Sequence, residues 1–332
     1  MNQELREKLG AFIMECYGVD INEATFHFST QNYAFVFPDK PYMIRVSMTP
    51  KKTRQEILSE LMWVDDLKAF KQTICEPSVS LRGKLLEECE IDGVTYRASM
   101  FRTARGTVRQ AADRDPMYFI CVGDLLGAVH EASEDQTRLG IKYKRKDSKD
   151  SVRKLIERAK GQVPDIIYER MCEIEAKINA IERTPENFGL CHGDFHSNNF
   201  FVEANNIWLF DFDGCRYAHY LYDVASFMLD CLMNGYLAEV DARTCLYEKI
   251  MPYFRIGYEL HRKVDESFYK DLELFIAYRA MTAMANLLSI RTCGEVDELE
   301  EIRNMFFEML SAPDILVALT DIRRSALTEK KE

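Results

Sequence analysis

The stretch His192-Gly193-Asp194-Phe195-His196-Ser197-Asn198-Asn199, followed shortly by Leu209-Phe210-Asp211-Phe212-Asp213, gathers acids, amides and imidazoles into one short region. Asn205-Asn206 between the two segments reads as a turn, and the apolar run Ile207-Trp208-Leu209-Phe210 as a short strand. Polar groups therefore flank a turn and a strand. Phosphoryl transfer needs such a set: one group orients an incoming hydroxyl and takes its proton, and others hold a metal that organises phosphates. Asp194 suits the first task. Asn199 and Asp211 suit the second, with Asp213 beside them at the metal or hydrogen-bonded in its surroundings. An oxygen-only donor set fits magnesium better than zinc.

Upstream, Leu5, Leu9, Phe12 and Ile13 predict a scaffold helix ending near Gly18. Between Ala24 and Ser47 two aromatic and β-branched runs read as antiparallel strands around the Pro38-Asp39-Lys40-Pro41 turn, with an earlier polar loop at Ser29-Thr30-Gln31-Asn32. Ile57, Leu61, Val64 and Leu67 fall at helical spacing, with Glu56 and Glu60 on a neighbouring stripe. The runs LRGKLLEEC and VTYRASMF surround Asp92-Gly93, a hairpin signal. A boundary is expected near Phe101 to Gly106. Beyond it, Phe119–Glu134 and Tyr168–Ile181 read as helices, as does most of the chain after Tyr222, with interruptions at Gly235, Pro252, Gly294 and Pro313. From Lys142 to Lys160, nine Lys/Arg against three acids predict a solvated helix face or loop.

The 332 residues suffice for two packed regions, and 47% hydrophobic with 29% charged residues describes an ordinary soluble chain. A net charge of -11 without a basic arm argues against nucleic acid as a partner. The ten cysteines are scattered without metal-type pairing and read as free buried thiols. No signal-like or membrane-spanning run is seen, so no membrane partner and a cytoplasmic setting are expected. Nothing in the chain specifies an oligomeric state.

HGDFHSNN and LFDFD, supported by the later Tyr222-Asp223-Val224-Ala225, resemble the aminoglycoside phosphotransferase and choline kinase superfamily, which includes homoserine and fructosamine kinases. The resemblance runs roughly from Ala24 to the helices near Gly294. It implies an α+β, bilobal protein-kinase-like fold, with an antiparallel-sheet nucleotide-binding lobe over 1–103 and a mainly helical catalytic and substrate-binding lobe over 104–332. It implies Asp194 as catalytic base, with His196 orienting it or approaching the substrate, and Asn199 and Asp211 as magnesium ligands. Asp223 takes a stabilising position. Arg45 aligns with the strand cation that contacts ATP phosphates, where protein kinases use lysine, and Glu60 is its helical partner. Ser29, Thr30 and Asn32 occupy the phosphate-covering turn, with a plain surface hairpin turn as the alternative. Met100 and Phe101 fall at the interlobe hinge that binds adenine.

The function so implied is transfer of the terminal phosphoryl group of ATP to a hydroxyl of a small metabolite, such as an amino sugar, amino alcohol or sugar. A protein kinase and a regulatory nucleotide-binding pseudokinase are the alternatives. WLFDFDG also resembles the first motif of haloacid-dehalogenase phosphatases, with Asp211 as nucleophile. Cys215 stands where that motif expects a hydroxyl, and no matching downstream lysine and paired acids follow.

Overall fold

The computed structural model describes residues 1–28, 32–48, 52–235, 239–288 and 296–329. The chain forms two compact units. The first comprises Met1–Gly106, Tyr143–Arg145 and Trp208–Asp213, and the second comprises Thr107–Lys142, Lys146–Ile207 and Gly214–Glu332.

The first unit opens with α1 (Gln3–Tyr17), which Asn2 caps at its start and Gly18, at φ 68°, ends in the left-handed region. β1 (Thr25–Phe28), β2 (Asn32–Val36) and β3 (Tyr42–Met48) follow, then α2 (Arg54–Leu67), whose Thr53 and Glu56 form a reciprocal capping box. β4 (Pro77–Ser78), β5 (Glu87–Ile91) and β6 (Val94–Arg102) complete an antiparallel sheet in the order β1-β2-β3-β6-β4, with β5 also on β6. Asp92 and Gly93 at φ 51° and 77° make the primed turn that matches strand twist in a two-residue hairpin. The expected strand LRGKLLEEC begins only at Glu87, because Ser80 to Lys84 close a turn on themselves through paired backbone bonds.

Alternation along β3 decides what lies on each face. Ile44 and Val46 join Phe35, Leu9, Phe12 and Ile13 in one core cluster, which α1 covers. Arg45 points the other way, toward α2, where Ile57 and Leu61 pack with Leu86.

Residues 143–145 belong to this unit although they come from the basic stretch read as solvated. Tyr143 packs at a tilt near Trp63, with ring centroids 5.4 Å apart, and its hydroxyl bonds Asp66. The Lys144 N–H donates to Ser59 Oγ at 2.5 Å, and Arg145 Nη1 donates to the Glu56 carbonyl at 2.9 Å. The local charge reading missed this strap because apolar and hydrogen-bonded anchoring comes from residues far away in the chain. The rest of the stretch does form a helix, α4 below.

The second unit is mainly helical: α3 (Pro116–Arg138), α4 (Ser148–Ala159), α5 (Asp165–Asn179), α6 (Leu221–Met233), α7 (Ala242–Thr244), α8 (Met251–Tyr258), α9 (Glu266–Tyr269), α10 (Leu272–Leu287), α11 (Val296–Ser311) and α12 (Ile315–Glu329). A π-helical segment, Cys245–Ile250, leads into α8, where Pro252 needs no intrahelical donor. Gly294 lies outside the described residues. α3 and α8 touch through their backbones. A Cβ on Gly257 would meet the Ile120 carbonyl oxygen at 1.9 Å, and one on Gly123 would meet that of Phe254 at 2.1 Å. Phe119, Phe227 and Phe254 fill the core beside this crossing.

Two short sheets carry the loops of interest: β7 (Phe188–Cys191) pairs antiparallel with β10 (Arg216–His219), and β8 (Phe200–Glu203) pairs with β9 (Asn206–Leu209). The chain passes from the second unit into the first within β9. Among the described residues no helix is long and apolar enough to cross a membrane.

Candidate active site

In the second unit, β7 delivers the chain to His192 and the loop that follows. Its backbone is fixed by Asp223 on α6, which is fully buried and accepts from the His192 N–H at 2.7 Å and the Gly193 N–H at 2.9 Å. Gly193 stands at φ 82°, and a Cβ there would meet the Gly214 carbonyl oxygen at 2.3 Å. His192, fully buried, accepts the Asp194 N–H on its Nδ1 at 3.3 Å. These bonds turn the Asp194 side chain outward, leaving it 41% exposed.

Three groups hold that carboxylate. Arg279 Nη2 on α10 donates to Oδ1 at 2.5 Å, His196 Nε2 lies 3.3 Å from Oδ2, and Asn199 Nδ2 donates to Oδ2 at 3.4 Å. His196 Nδ1 accepts the Asn198 N–H at 3.3 Å, which leaves Nε2 as the ring nitrogen that donates to Asp194. Burial would raise the Asp194 pKa, but the His196 hydrogen bond and the Arg279 charge outweigh it and hold the carboxyl well below the usual carboxylate range. Asn199 also donates from Nδ2 to the Asp194 carbonyl at 2.8 Å. Its nitrogen end is thus committed inward, and the amide oxygen is the end it can offer a cation.

Behind Asp223 runs a buried network. His130 Nε2 is 3.3 Å from Asp223 Oδ2, and its Nδ1 is 2.8 Å from the Tyr258 hydroxyl, which accepts from Arg262 at 2.9 Å. Burial pushes His130 down to about 4, so the ring is neutral at ordinary pH. His130, Cys191 and Asp223 place potential metal-ligand atoms within 4.8 Å of one another. The chemistry disfavours an ion there: burial pushes the Cys191 thiol up, keeping it protonated to donate to the Ala218 carbonyl at 3.5 Å, while both Asp223 oxygens accept backbone N–H groups.

In the first unit, Arg45 on β3 and Glu60 on α2 form an ion pair at 2.7 Å, with side chains 8% and 1% exposed. Phe101 stacks against this guanidinium, its ring centroid 4.8 Å away, while Met100 is turned into the core with Ile44 and Val46. Asp211 holds a left-handed backbone at φ 63°, unusual outside glycine though best tolerated by Asp and Asn. Such conformations persist where a site requires them. The Asp213 carboxylate takes Lys52 and Arg45 Nη1, the latter at 3.5 Å, on Oδ1, and Asn32 Nδ2 at 3.2 Å on Oδ2. Burial would raise its pKa, but Arg45 and Lys52 bring it down to about 2. Ser47 Oγ donates to Asn32 Oδ1 at 2.6 Å and orients that amide. Ser29 and Thr30, expected in the phosphate-covering turn, lie outside the described residues.

Two groups here escaped the sequence reading. Arg279 is a lone cation in the apolar helix LELFIAYRAMTAMANL, and that anomaly was the available signal. Lys52 sits in an irregular polar segment with no periodicity to mark it.

Residues 21–255 match the phosphotransferase enzyme family, well over half of the chain. The amicoumacin kinase of Bacillus subtilis (strain 168) is 22% identical over 291 residues, covering 85% of each chain. Among solved structures, the amicoumacin kinase hAmiN, in complex with AMP-PNP, Ca2+ and Ami, superposes with a TM-score of 0.80 at 20% identity, covering 94% of this chain and 96% of that one. A microcompartment-associated aminopropanol kinase gives a TM-score of 0.62 at 16% identity, covering 97% and 98%. At these identities the structures establish the kinase-like fold, as expected from HGDFHSNN and LFDFD. The chain belongs to the phosphotransferase enzyme family, as an ATP-dependent phosphotransferase acting on an alcohol group.

Proposed function

We propose that the protein transfers the terminal phosphoryl group of magnesium-bound ATP to a hydroxyl of an amino alcohol, amino sugar or sugar. The observation that carries this reading is the Asp194 carboxylate: exposed at its tip, ionised, and held by His196, Asn199 and Arg279 on a backbone fixed by Asp223. The relatives named for amicoumacin and aminopropanol motivate the acceptor class.

In this reading Asp194 orients the acceptor hydroxyl and receives its proton as the oxygen attacks, while His196 holds the carboxylate in place. Asn199 and Asp211 hold magnesium, with Asp213 beside them; when bound, the metal neutralises charge on the phosphates. Arg45, steadied by Glu60, contacts phosphate, and Ser29, Thr30 and Asn32 cover it. Met100 contributes backbone groups to adenine, and Phe101 packs nearby. In this reading residues 1–103 form the nucleotide-binding lobe, and 104–332 the catalytic and substrate-binding lobe that also supplies the metal ligands. A cytoplasmic setting is part of this reading.

The test is ADP formation with magnesium ATP by wild-type protein and Asp194→Asn across amicoumacin, aminopropanol, ethanolamine, spectinomycin, kanamycin and simple sugars. Acceptor-dependent turnover by the wild type, lost in the variant while ATP still binds, is the expected result. Turnover undiminished in the variant removes Asp194 as the base. Intact ATP binding without turnover on any acceptor favours the regulatory reading instead.

A further inference from the structure

Three cations of the first unit converge on Asp213. Lys52 Nζ and Arg45 Nη1 share its Oδ1, and Lys52 also donates to its backbone carbonyl at 3.2 Å. Arg145, carried in by the 143–145 strap, donates to the same carbonyl at 2.8 Å and lies 4.0 Å from Glu60. The side chains of Arg45, Lys52 and Arg145 are only 8%, 13% and 7% exposed.

A structural ion pair would need one cation for each acid. Here three face Glu60 and Asp213, and the remaining nearby acid, Asp211, whose charge Arg45 also feels, is assigned to the metal. The Arg45–Glu60 pair is also incompletely satisfied: among the described residues Arg45 Nε and Nη2, like both Glu60 carboxylate oxygens, are buried without a hydrogen bond. Buried cations and unpaired buried donors are costly unless an anion is taken up among them.

We propose that Lys52, supplied from outside the strand that carries Arg45, is a second triphosphate-binding cation, taking the terminal phosphates of ATP together with Arg45. Asp213 Oδ1 is an anion held by the same donors and marks where a phosphate oxygen is received. The two cations divide the work by their chemistry. Arg45 is locked by Glu60 beneath the Phe101 ring, whereas the lysine ammonium sits on a flexible stem and can exchange one oxygen for another without moving the backbone. Arg145 is a positioning residue that holds the Asp213 segment from its carbonyl side. This inference rests on the phosphotransferase reading above.

The experiment is calorimetric binding of Mg-ATP, ADP and AMP to the full chain as wild type, Lys52→Gln and Lys52→Arg, with melting temperatures measured in parallel. Lys52→Gln should weaken ATP about 10- to 100-fold, the scale of one charge-assisted hydrogen bond, while leaving AMP unchanged. Lys52→Arg should recover most of the loss. ATP affinity within about twofold of wild type in Lys52→Gln, or equal losses for ATP and AMP, overturns the inference. A wild type that binds no Mg-ATP overturns both it and the phosphotransferase reading, whereas tight wild-type binding that is indifferent to Lys52 overturns this inference alone.

Discussion

Asp194 and Asp213 are both held ionised by cations of low exposure, yet their surroundings differ in kind. Asp194 projects from a loop whose backbone is bonded to Asp223, and its side chain is 41% exposed. Asp213 is 14% exposed and receives Lys52, Arg45 and Asn32 together. The first is presented to solvent, while the second is enclosed by its partners. Comparable acidity can thus serve either reactivity or assembly, and accessibility distinguishes the two.

The strongest way to break this contrast is to neutralise the presented carboxylate. Asp194→Asn should lower acceptor-dependent transfer by about 10²- to 10⁴-fold, the usual reach of a positioned acid or base, with little change in melting temperature. A large stability loss with modest kinetic change would put Asp194 in the same category as Asp213.

Removing the support beneath it should act differently. Asp223→Ala leaves the His192 and Gly193 N–H groups without their acceptor in a fully buried place. Urea denaturation should show a loss of about 3–5 kcal/mol, typical when one member of a buried network is deleted. A loss below about 1 kcal/mol would mean that the loop is held by other contacts.

Arg279→Gln removes the cation from Asp194 Oδ1 and leaves a shorter, neutral donor. We expect kcat to fall about tenfold with the ATP KM unchanged, a split that separates placement of the base from nucleotide binding. A rise in the ATP KM alone would assign Arg279 to the wrong substrate.

The smallest effect concerns pH. Five of the six histidines, all but His27, belong to the second unit. Burial lowers both His130 and His219 to about 4, the latter helped by the Arg183 charge. The unfolded chain takes up protons near pH 6.5 while these folded rings do not, so stability is full above that pH and falls between about 6.5 and 4. Each ring contributes a slope of up to about 1.4 kcal/mol per pH unit. His219→Gln should flatten the fall in melting temperature over this window, and an unaltered slope would show that the ring does not titrate as described.

What was legible in the sequence follows the range of the interactions. HGDFHSNN and LFDFD could be read because their chemistry is packed into neighbouring residues, and α1, α2 and the Asp92-Gly93 hairpin because period and turn residues are local signals. β7 and β10 were missed: each has four residues, too few for alternation to show. The ion pair of Arg279 with Asp194 joins residues 85 apart, and Lys52 with Asp213 spans 161, so neither leaves a trace in any window. The 143–145 strap was masked by its own charge, since Lys144 and Arg145 look solvated until Tyr143 is seen packed near Trp63.

The chain crosses between the two compact units five times, at 106/107, 142/143, 145/146, 207/208 and 213/214. Inheritance by gene fusion works on continuous segments, and no continuous segment contains the first unit alone. An N-terminal fragment ending at Gly106 would lack both the Arg145 strap and the Asp211–Asp213 segment. The first unit could therefore not be lent to another protein as a cassette; it would have to travel with its partner, as a single unit of descent.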